Sequence, residues 1–110
     1  MRTAAVYRNG IFAGILTEEN RHGYTFTYDE SYYKDNLKPA ISLTLSKKKR
    51  VYRSEYLFPF FFNMLPEGSN KNLQCRKLKI DENDYFGLLM ASAQSDTSGA
   101  ITVRPIKENI

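Results

Sequence analysis

Residues 24–28 read Tyr-Thr-Phe-Thr-Tyr, so aromatic rings and threonines alternate along the chain. Successive side chains of a β-strand point to opposite faces, and this period of two predicts a strand with one face of rings and one of hydroxyl groups. Aromatic and β-branched residues are also the types that strands favour. The stretch therefore predicts that the first half of the chain forms a β-sheet.

A β-hairpin is predicted before this strand. Residues 4–7 and 11–16 are apolar runs, and the dipeptide Asn9-Gly10 between them best tolerates the positive φ angles of a type I′ turn. Residues 18–23 are polar and predict a loop that leads into the aromatic strand.

Further strands are predicted after the aromatic one. Residues 29–39 predict a loop, and residues 41–45 alternate again between apolar and hydroxyl side chains, which predicts a strand. The basic residues 47–50 predict a solvated turn to a short return strand over residues 51–53. Residues 100–103 predict a last strand that pairs with the same sheet.

The second half of the chain predicts helices. Residues 56–65 are apolar almost throughout, and Pro59 is tolerated only in the first turn, so a helix is predicted from about Phe58 to Leu65. The sequence Pro-Glu-Gly at 66–68 ends it, because proline cannot continue a helix and glycine accepts a left-handed cap.

Two more helices are predicted further on. Ser69 is a suitable N-cap for a helix that extends to about Lys79. Asp81 is the expected N-cap of a helix over residues 85–90, and Asp84, three positions on, imitates a capping box.

A period of two followed by a period of 3.6 predicts an α+β fold. We expect an antiparallel, twisted and partly closed sheet of about five or six strands, covered by about three helices. Residues 1–110 are predicted to form a single domain, because 110 residues are enough for one core. The predicted core residues are Val6, Phe12, Phe26, Leu43, Leu45, Phe61, Phe62, Leu65, Leu88, Leu89 and Ile101.

The composition bounds the setting in which the protein works. The single cysteine, Cys75, excludes an internal disulfide and suits a reducing cytosol. The longest apolar block, residues 56–62, is far shorter than the ~20 residues that span a membrane. The first residues lack the apolar run of a signal peptide. We therefore expect a complete, cytoplasmic chain that has no membrane partner.

Basic residues are clustered within a chain of net charge +4. Lys47–Arg53 and Lys71–Lys79 either contact nucleic-acid phosphates or form a solvated turn and the outer face of a helix. The second interpretation is favoured, and nucleic-acid binding through these clusters is the alternative function.

No catalytic, cofactor-binding or metal-binding residue is predicted. His22 is the only histidine and cannot form a metal site alone. Cys75 is expected to fill space within a helix, and helix capping explains Asp81 and Asp84. The glycines are too scattered for a phosphate-binding loop. Surface recognition is therefore expected rather than catalysis.

The order of elements and residues 61–68, Phe-Phe-Asn-Met-Leu-Pro-Glu-Gly, resemble the N-terminal subdomain of HipA-type serine/threonine kinases. These kinases are the toxins of bacterial toxin–antitoxin modules. The resemblance covers nearly the whole chain and is also carried by residues 6–10, Gly14, 26–28, 41–43, 84–89 and 96–103. The family motif residues expected to serve structure are Asn63, Leu65, Pro66, Glu67, Gly68, Asp96 and Gly99.

The resemblance extends to the split arrangement of that module. There the subdomain is a separate small protein, HipS, encoded beside a shortened kinase, HipT, and a HipB-like helix-turn-helix protein. It implies a non-catalytic module that binds a HipT- or HipA-like kinase and restrains it as an antitoxin, or completes it. An inactive or self-associating domain is a further interpretation.

Four tyrosines are the first candidates for partner contact. Tyr24 and Tyr28 share one face of the aromatic strand, and Tyr32 and Tyr33 lie in the loop that follows. Clustered exposed rings on a soluble protein tend to mark a binding site. Tyr28 is equally a candidate for the core.

Overall fold

The structure is a computed structural model that describes residues 2–20, 22–65, 83–92 and 100–106. The elements in chain order are β1 (Arg2–Arg8), β2 (Ile11–Asn20), β3 (Gly23–Tyr28), α1 (Glu30–Lys34), β4 (Val51–Ser54), α2 (Pro59–Phe62), α3 (Tyr85–Ser92) and β5 (Ile101–Pro105). The five strands form one antiparallel sheet in the order β4-β3-β2-β1-β5. The predicted α+β fold class is confirmed, although the sheet is open rather than partly closed.

The first hairpin turns as its sequence predicts. Asn9 has a φ of 51° and Gly10 a φ of 80°, the two positive angles of a type I′ turn. One residue is bulged between the Val6–Gly14 and Tyr7–Phe12 pairs, so the register shifts by one position beyond it.

The loop predicted at 18–23 is wrong in its first part. β2 continues to Asn20, and Glu18 lies opposite Arg2 on one side and Tyr24 on the other. A charged residue is accepted within the strand because Arg2 donates a hydrogen bond of 2.8 Å from Nε to Oε1 of Glu18.

The strand predicted at 41–45 is also wrong, because this segment folds as turns. The Oγ of Ser42 accepts a hydrogen bond of 3.2 Å from the Thr44 amide, and the Leu45 amide donates to the Ser42 carbonyl. Hydroxyl side chains offer the backbone this local alternative to a sheet. β4 therefore pairs with β3, and residues 47–50 do not join two adjacent strands.

A short helix lies within the segment predicted as a loop. The carboxylate of Asp29 accepts from the Tyr32 amide at 3.2 Å and caps α1. Glu30 and Lys34, one helical turn apart, form an ion pair at 2.8 Å. The five-residue helix buries one ring, that of Tyr32.

Helices α2 and α3 begin at a proline and after a capping aspartate, respectively. Pro59 lies in the first turn of α2, as predicted, and is its first residue. The helix ends at Phe62, however, and the chain continues to Leu65 only as a turn. α3 is capped by Asp84, whose Oδ1 accepts from the Gly87 amide at 3.1 Å. The predicted N-cap of this helix, Asp81, is wrong, because α3 begins at Tyr85 and Asp84 caps it. Asp81 itself and the predicted helix at 69–79 lie outside the described residues.

The core lies between one face of the sheet and the helices. All three rings of β3 are buried, and the rings of Phe26 and Phe61 pack 5.9 Å apart, which places α2 on this face. Leu43, 99% exposed, and Phe62, 47% exposed, are wrong core predictions, and Phe12 is half-buried against Tyr7. The predicted core residues confirmed as buried are Val6, Phe26, Leu45, Phe61, Leu65, Leu88, Leu89 and Ile101.

Candidate functional site

Three of the four tyrosines proposed for partner contact point inward. Tyr24, Tyr28 and Tyr32 are buried, and Tyr33 is half-buried with its ring 6.2 Å from that of Tyr28. Partner binding by these residues stays a prediction. Their burial shows that exposed rings must be sought elsewhere on the molecule.

The hydroxyl groups of Tyr28 in β3 and Tyr32 in α1 form hydrogen bonds with the turns at 39–45. The hydroxyl of Tyr28 donates to the Leu45 carbonyl and accepts from the Ile41 amide at 3.1 Å, while the hydroxyl of Tyr32 donates to the Pro39 carbonyl at 2.6 Å. Burial raises the pKa of Tyr28 to about 12. Both hydroxyl groups therefore remain protonated at neutral pH and keep their hydrogen bonds with the backbone.

The family motif is only partly described. Asn63 is the exposed C-cap of α2, and Leu65 is buried in the core. Pro66, Glu67, Gly68, Asp96 and Gly99 lie outside the described residues.

The first basic cluster uses much of its charge within the chain. The ammonium of Lys47 donates to the carbonyls of Asp35 and Lys38, at 2.5 and 2.8 Å. The guanidinium of Arg50 donates to the Tyr28 carbonyl, and the Lys49 ammonium lies 4.7 Å from the centre of the Tyr52 ring. These contacts leave fewer cations for phosphates. The second cluster, Lys71–Lys79, lies outside the described residues.

A groove of about 790 Å³ opens between three parts of the chain. These are the turn end of the β2–β3 hairpin, the β4–α2 connection and the first turn of α3. We call it the aromatic groove and define it by Tyr56, Phe62 and Tyr85 on its apolar side and Arg2, Glu18, Glu55 and Asp84 on its charged side. Ligand sites commonly have volumes of ~300–1,000 Å³, so the groove is large enough for several side chains.

The apolar side presents rings to solvent. Tyr56 is 74% exposed, and the Phe62 ring, 5.3 Å from the Tyr85 ring, meets it edge to face. Phe62 was assigned to the core on helical spacing with Phe58 and Phe61. Phe61 and Phe62 are about 100° apart around the helix axis. Phe61 therefore packs on Phe26, while Phe62 packs on Tyr85 and lines the groove.

The charged side is organised by Arg2. Its guanidinium donates two hydrogen bonds to Asp84, at 2.6 and 3.0 Å, and pairs with Glu18 at 2.6 Å. The hydrogen bond from Arg2 lowers the pKa of Asp84, and the Gly87 amide adds to this effect. The same hydrogen bond raises the pKa of Arg2, so the charges persist across the physiological range.

Burial, together with the neighbouring Glu18 carboxylate, raises the pKa of Tyr24. Its hydroxyl donates to Oε2 of Glu18 at 3.4 Å and forms part of the groove floor. His22 also lines the groove and contributes a single imidazole. No group of three acidic, histidine or cysteine side chains suited to a metal ion occurs among the described residues. The arrangement is suited to binding apolar and charged groups.

This groove could not be predicted from local sequence patterns. Counting outward from Asn9-Gly10 places Thr17, not Glu18, opposite Arg2, and only the bulge beyond Val6 corrects the register. The ring side is assembled from α2, α3 and the β4–α2 connection. The hydrophobic periodicity of a single segment does not predict tertiary contacts between segments that are distant in the sequence.

Within the described part of the chain, no helix is both long and apolar enough to cross a bilayer.

Comparison with known proteins agrees with the architecture. The family model described as HipA N-terminal domain matches residues 4–104. A solved structure, described as the N-terminal domain of HipA toxin, is similar over 99% of this chain and 96% of its own, with a TM-score of 0.72 and 26% sequence identity.

Relatives of two sizes are similar in sequence. An uncharacterized protein of Haemophilus influenzae is 31% identical over 108 residues, which are 98% of this chain and 96% of that protein. Two proteins of Sinorhizobium fredii, named "Putative kinase Y4mE" and "Putative kinase Y4dM", are 26% and 32% identical over 96% and 73% of this chain. The matched regions are 25% and 21% of these two proteins, so the chain spans about a quarter of their length or less.

Proposed function

Because this chain belongs to the HipA N-terminal domain family, we propose that it is a non-catalytic module that binds a HipT- or HipA-like serine/threonine kinase. Binding restrains the kinase, as an antitoxin does, or completes its fold. The proposal places both proteins in the bacterial cytoplasm, together with a HipB-like helix-turn-helix protein as a further partner.

One observation carries the proposal. The same domain is about a quarter of two longer proteins named as kinases, and nearly the whole of the Haemophilus influenzae relative. Surface that meets the rest of the molecule in a longer chain must meet a separate protein when the domain stands apart. Such an interface should bury on the order of 1,200–2,000 Å² in total.

The fold supports a role in binding rather than in catalysis. The titratable residues with shifted pKa values form ion pairs or hydrogen bonds within the fold, as Asp84 and Tyr28 do. The exposed rings of Tyr56 and Phe62 are of the types enriched at protein interfaces.

Co-expression with a HipT- or HipA-like kinase encoded near the gene for this chain tests the proposal. We expect this chain to co-purify with a tagged kinase, and the growth of the cells distinguishes the two mechanisms. If restraint is the mechanism, growth is restored. If completion is the mechanism, the kinase is soluble and active only with its partner. Failure to associate would contradict both mechanisms, and salt-dependent binding to unrelated duplexes would then favour the nucleic-acid alternative.

A further inference from the structure

We propose that the aromatic groove is the docking site for a basic segment of the partner kinase, one that carries a lysine or arginine next to an apolar side chain. This inference rests on the proposed function and adds to it the surface and the chemistry of the contact.

The groove concentrates exposed rings that are otherwise scarce on the described surface. Seven large apolar side chains are exposed there, and the groove contains two of them, Tyr56 and Phe62. The ring of Tyr85 stands edge-on to Phe62 and extends the same wall. Aromatic walls of this kind receive apolar anchors and also attract cations to their faces.

The charged residues of the groove favour a positively charged ligand. Three carboxylates, those of Glu18, Glu55 and Asp84, line it against one guanidinium, that of Arg2. Arg2 is already divided between Glu18 and Asp84, which leaves Glu55 without an ion pair among the described residues. The chain as a whole carries +4, so this acidic groove is opposite in sign to the rest of the protein.

Acidic rims beside apolar walls exclude phosphates and favour cations. A nucleic-acid backbone would be repelled from Glu55 and Glu18, whereas a lysine or arginine can pair with Glu55 and place its stem on the rings. The volume of about 790 Å³ takes more than one side chain, which favours a peptide segment over a lone ion.

The test measures the affinity of the full chain for the co-expressed kinase by titration calorimetry. Tyr56→Ser, Phe62→Ser and Glu55→Lys change the groove at exposed positions. Leu43→Ser and Glu30→Lys are the matched controls, because Leu43 and Glu30 are exposed and do not line the groove. Circular dichroism confirms that each variant is folded.

The groove variants should weaken the affinity at least about tenfold and the controls less than about twofold. Added salt should weaken the wild-type complex and have less effect on Glu55→Lys, because the contact with the basic segment is electrostatic. A photo-reactive phenylalanine at position 56 should cross-link to a kinase peptide that contains lysine or arginine.

The outcomes separate the inference from the function on which it rests. If the kinase binds all groove variants as tightly as the wild type, the docking site is wrong and kinase binding stands. A cross-link only within this chain, or to a kinase peptide without basic residues, also overturns the inference. If neither the wild type nor the controls bind the kinase, the proposed function itself has failed.

Discussion

Arg2 holds together charges that come from both halves of the chain. Its guanidinium joins Glu18 of β2 to Asp84 at the start of α3, and it lies 5.1 Å from the centre of the Phe86 ring. The side chains of Arg2 and Asp84 are about one-third exposed, so solvent weakens the pair. We expect a contribution of less than about 1 kcal/mol to the free energy of unfolding at neutral pH.

The lowered pKa of Asp84 makes part of the stability depend on pH. A carboxyl group whose pKa is lower in the folded state stabilises the fold above its unfolded pKa, and this stabilisation is lost as the pH falls through the folded value. Urea unfolding should therefore show that Asp84→Asn is less stable than wild type at pH 7, and that the difference shrinks as the pH falls below about 4.

Glu30 provides the matched comparison for this pH profile. Its pKa is also lowered by the hydrogen bond with Lys34, but it is fully exposed on α1. Glu30→Gln should change the profile less than Asp84→Asn does. Equal effects of the two substitutions would contradict the role assigned to Asp84, a half-buried carboxylate that binds both Arg2 and the Gly87 amide.

Gly14 is required by close packing. It lies opposite Val6 and Tyr28 in the middle of the sheet, and a Cβ there would stand 2.8 Å from Cζ of Phe26. Gly14→Ala should lower the free energy of unfolding by about 1–3 kcal/mol, measured in urea.

Gly23→Ala is the control for Gly14→Ala, because a Cβ at Gly23 would meet its neighbours at 3.5 Å or more. Its free energy of unfolding should stay within about 0.5 kcal/mol of wild type. If the two alanine variants are equally stable, close packing at Gly14 is not the reason for the glycine.

Elements with strong local chemistry were predictable, and short or side-chain-directed elements were not. Asn9-Gly10 fixes its own turn, and the alternation at 24–28 fixes β3. The alternation at 41–45 predicted a strand wrongly, because the Ser42 hydroxyl accepts a hydrogen bond from the Thr44 amide and stabilises a turn. α1 was missed because five residues give too short a window for helical periodicity, although Asp29 is a suitable N-cap.

Two leucines of the 41–45 segment distinguish a turn from a strand. On a strand, Leu43 and Leu45 would share one face and one degree of burial, but in the structure Leu45 is buried and Leu43 is exposed. Leu45→Ala should cost about 2–5 kcal/mol of unfolding free energy and Leu43→Ala less than about 0.5 kcal/mol. Chemical denaturation of both variants measures these losses. Similar losses of unfolding free energy at Leu43 and Leu45 would support a strand rather than a turn.

The whole sheet is stabilised from its centre. β1, β2 and β3 each pair on both sides, whereas β4 and β5 each pair on one side within the described part of the chain. Amide hydrogen exchange should therefore be slowest in β1–β3 and faster along β4 and β5.

Binding of the kinase should add protection to amides around the groove, at residues 55–62 and 84–86, and leave residues 35–45 unchanged. The free chain under the same conditions is the reference. New protection confined to Lys47–Arg53 would instead place the contact on the basic cluster.

The assembly of the fold was more predictable than the assembly of the groove. The change from a period of two to a period of 3.6 is enough to predict a sheet covered by helices, because each element must bury its apolar face. The groove depends on a bulge, on the packing of Phe62 against Tyr85 and on side chains about 80 residues apart, such as Arg2 and Asp84. None of these has a local sequence pattern.

The pairing of β1 with β5 brings the beginning and the end of the described chain to one corner of the sheet. Ala4 lies opposite Pro105, and the Ile106 amide donates to the Thr3 carbonyl at 3.0 Å. A domain whose entry and exit are adjacent can be inserted into a longer polypeptide, or excised from it, without pulling its strands apart. This geometry is compatible with the two sizes of relative, since a fusion or a fission of genes at that corner leaves every strand of the sheet in place.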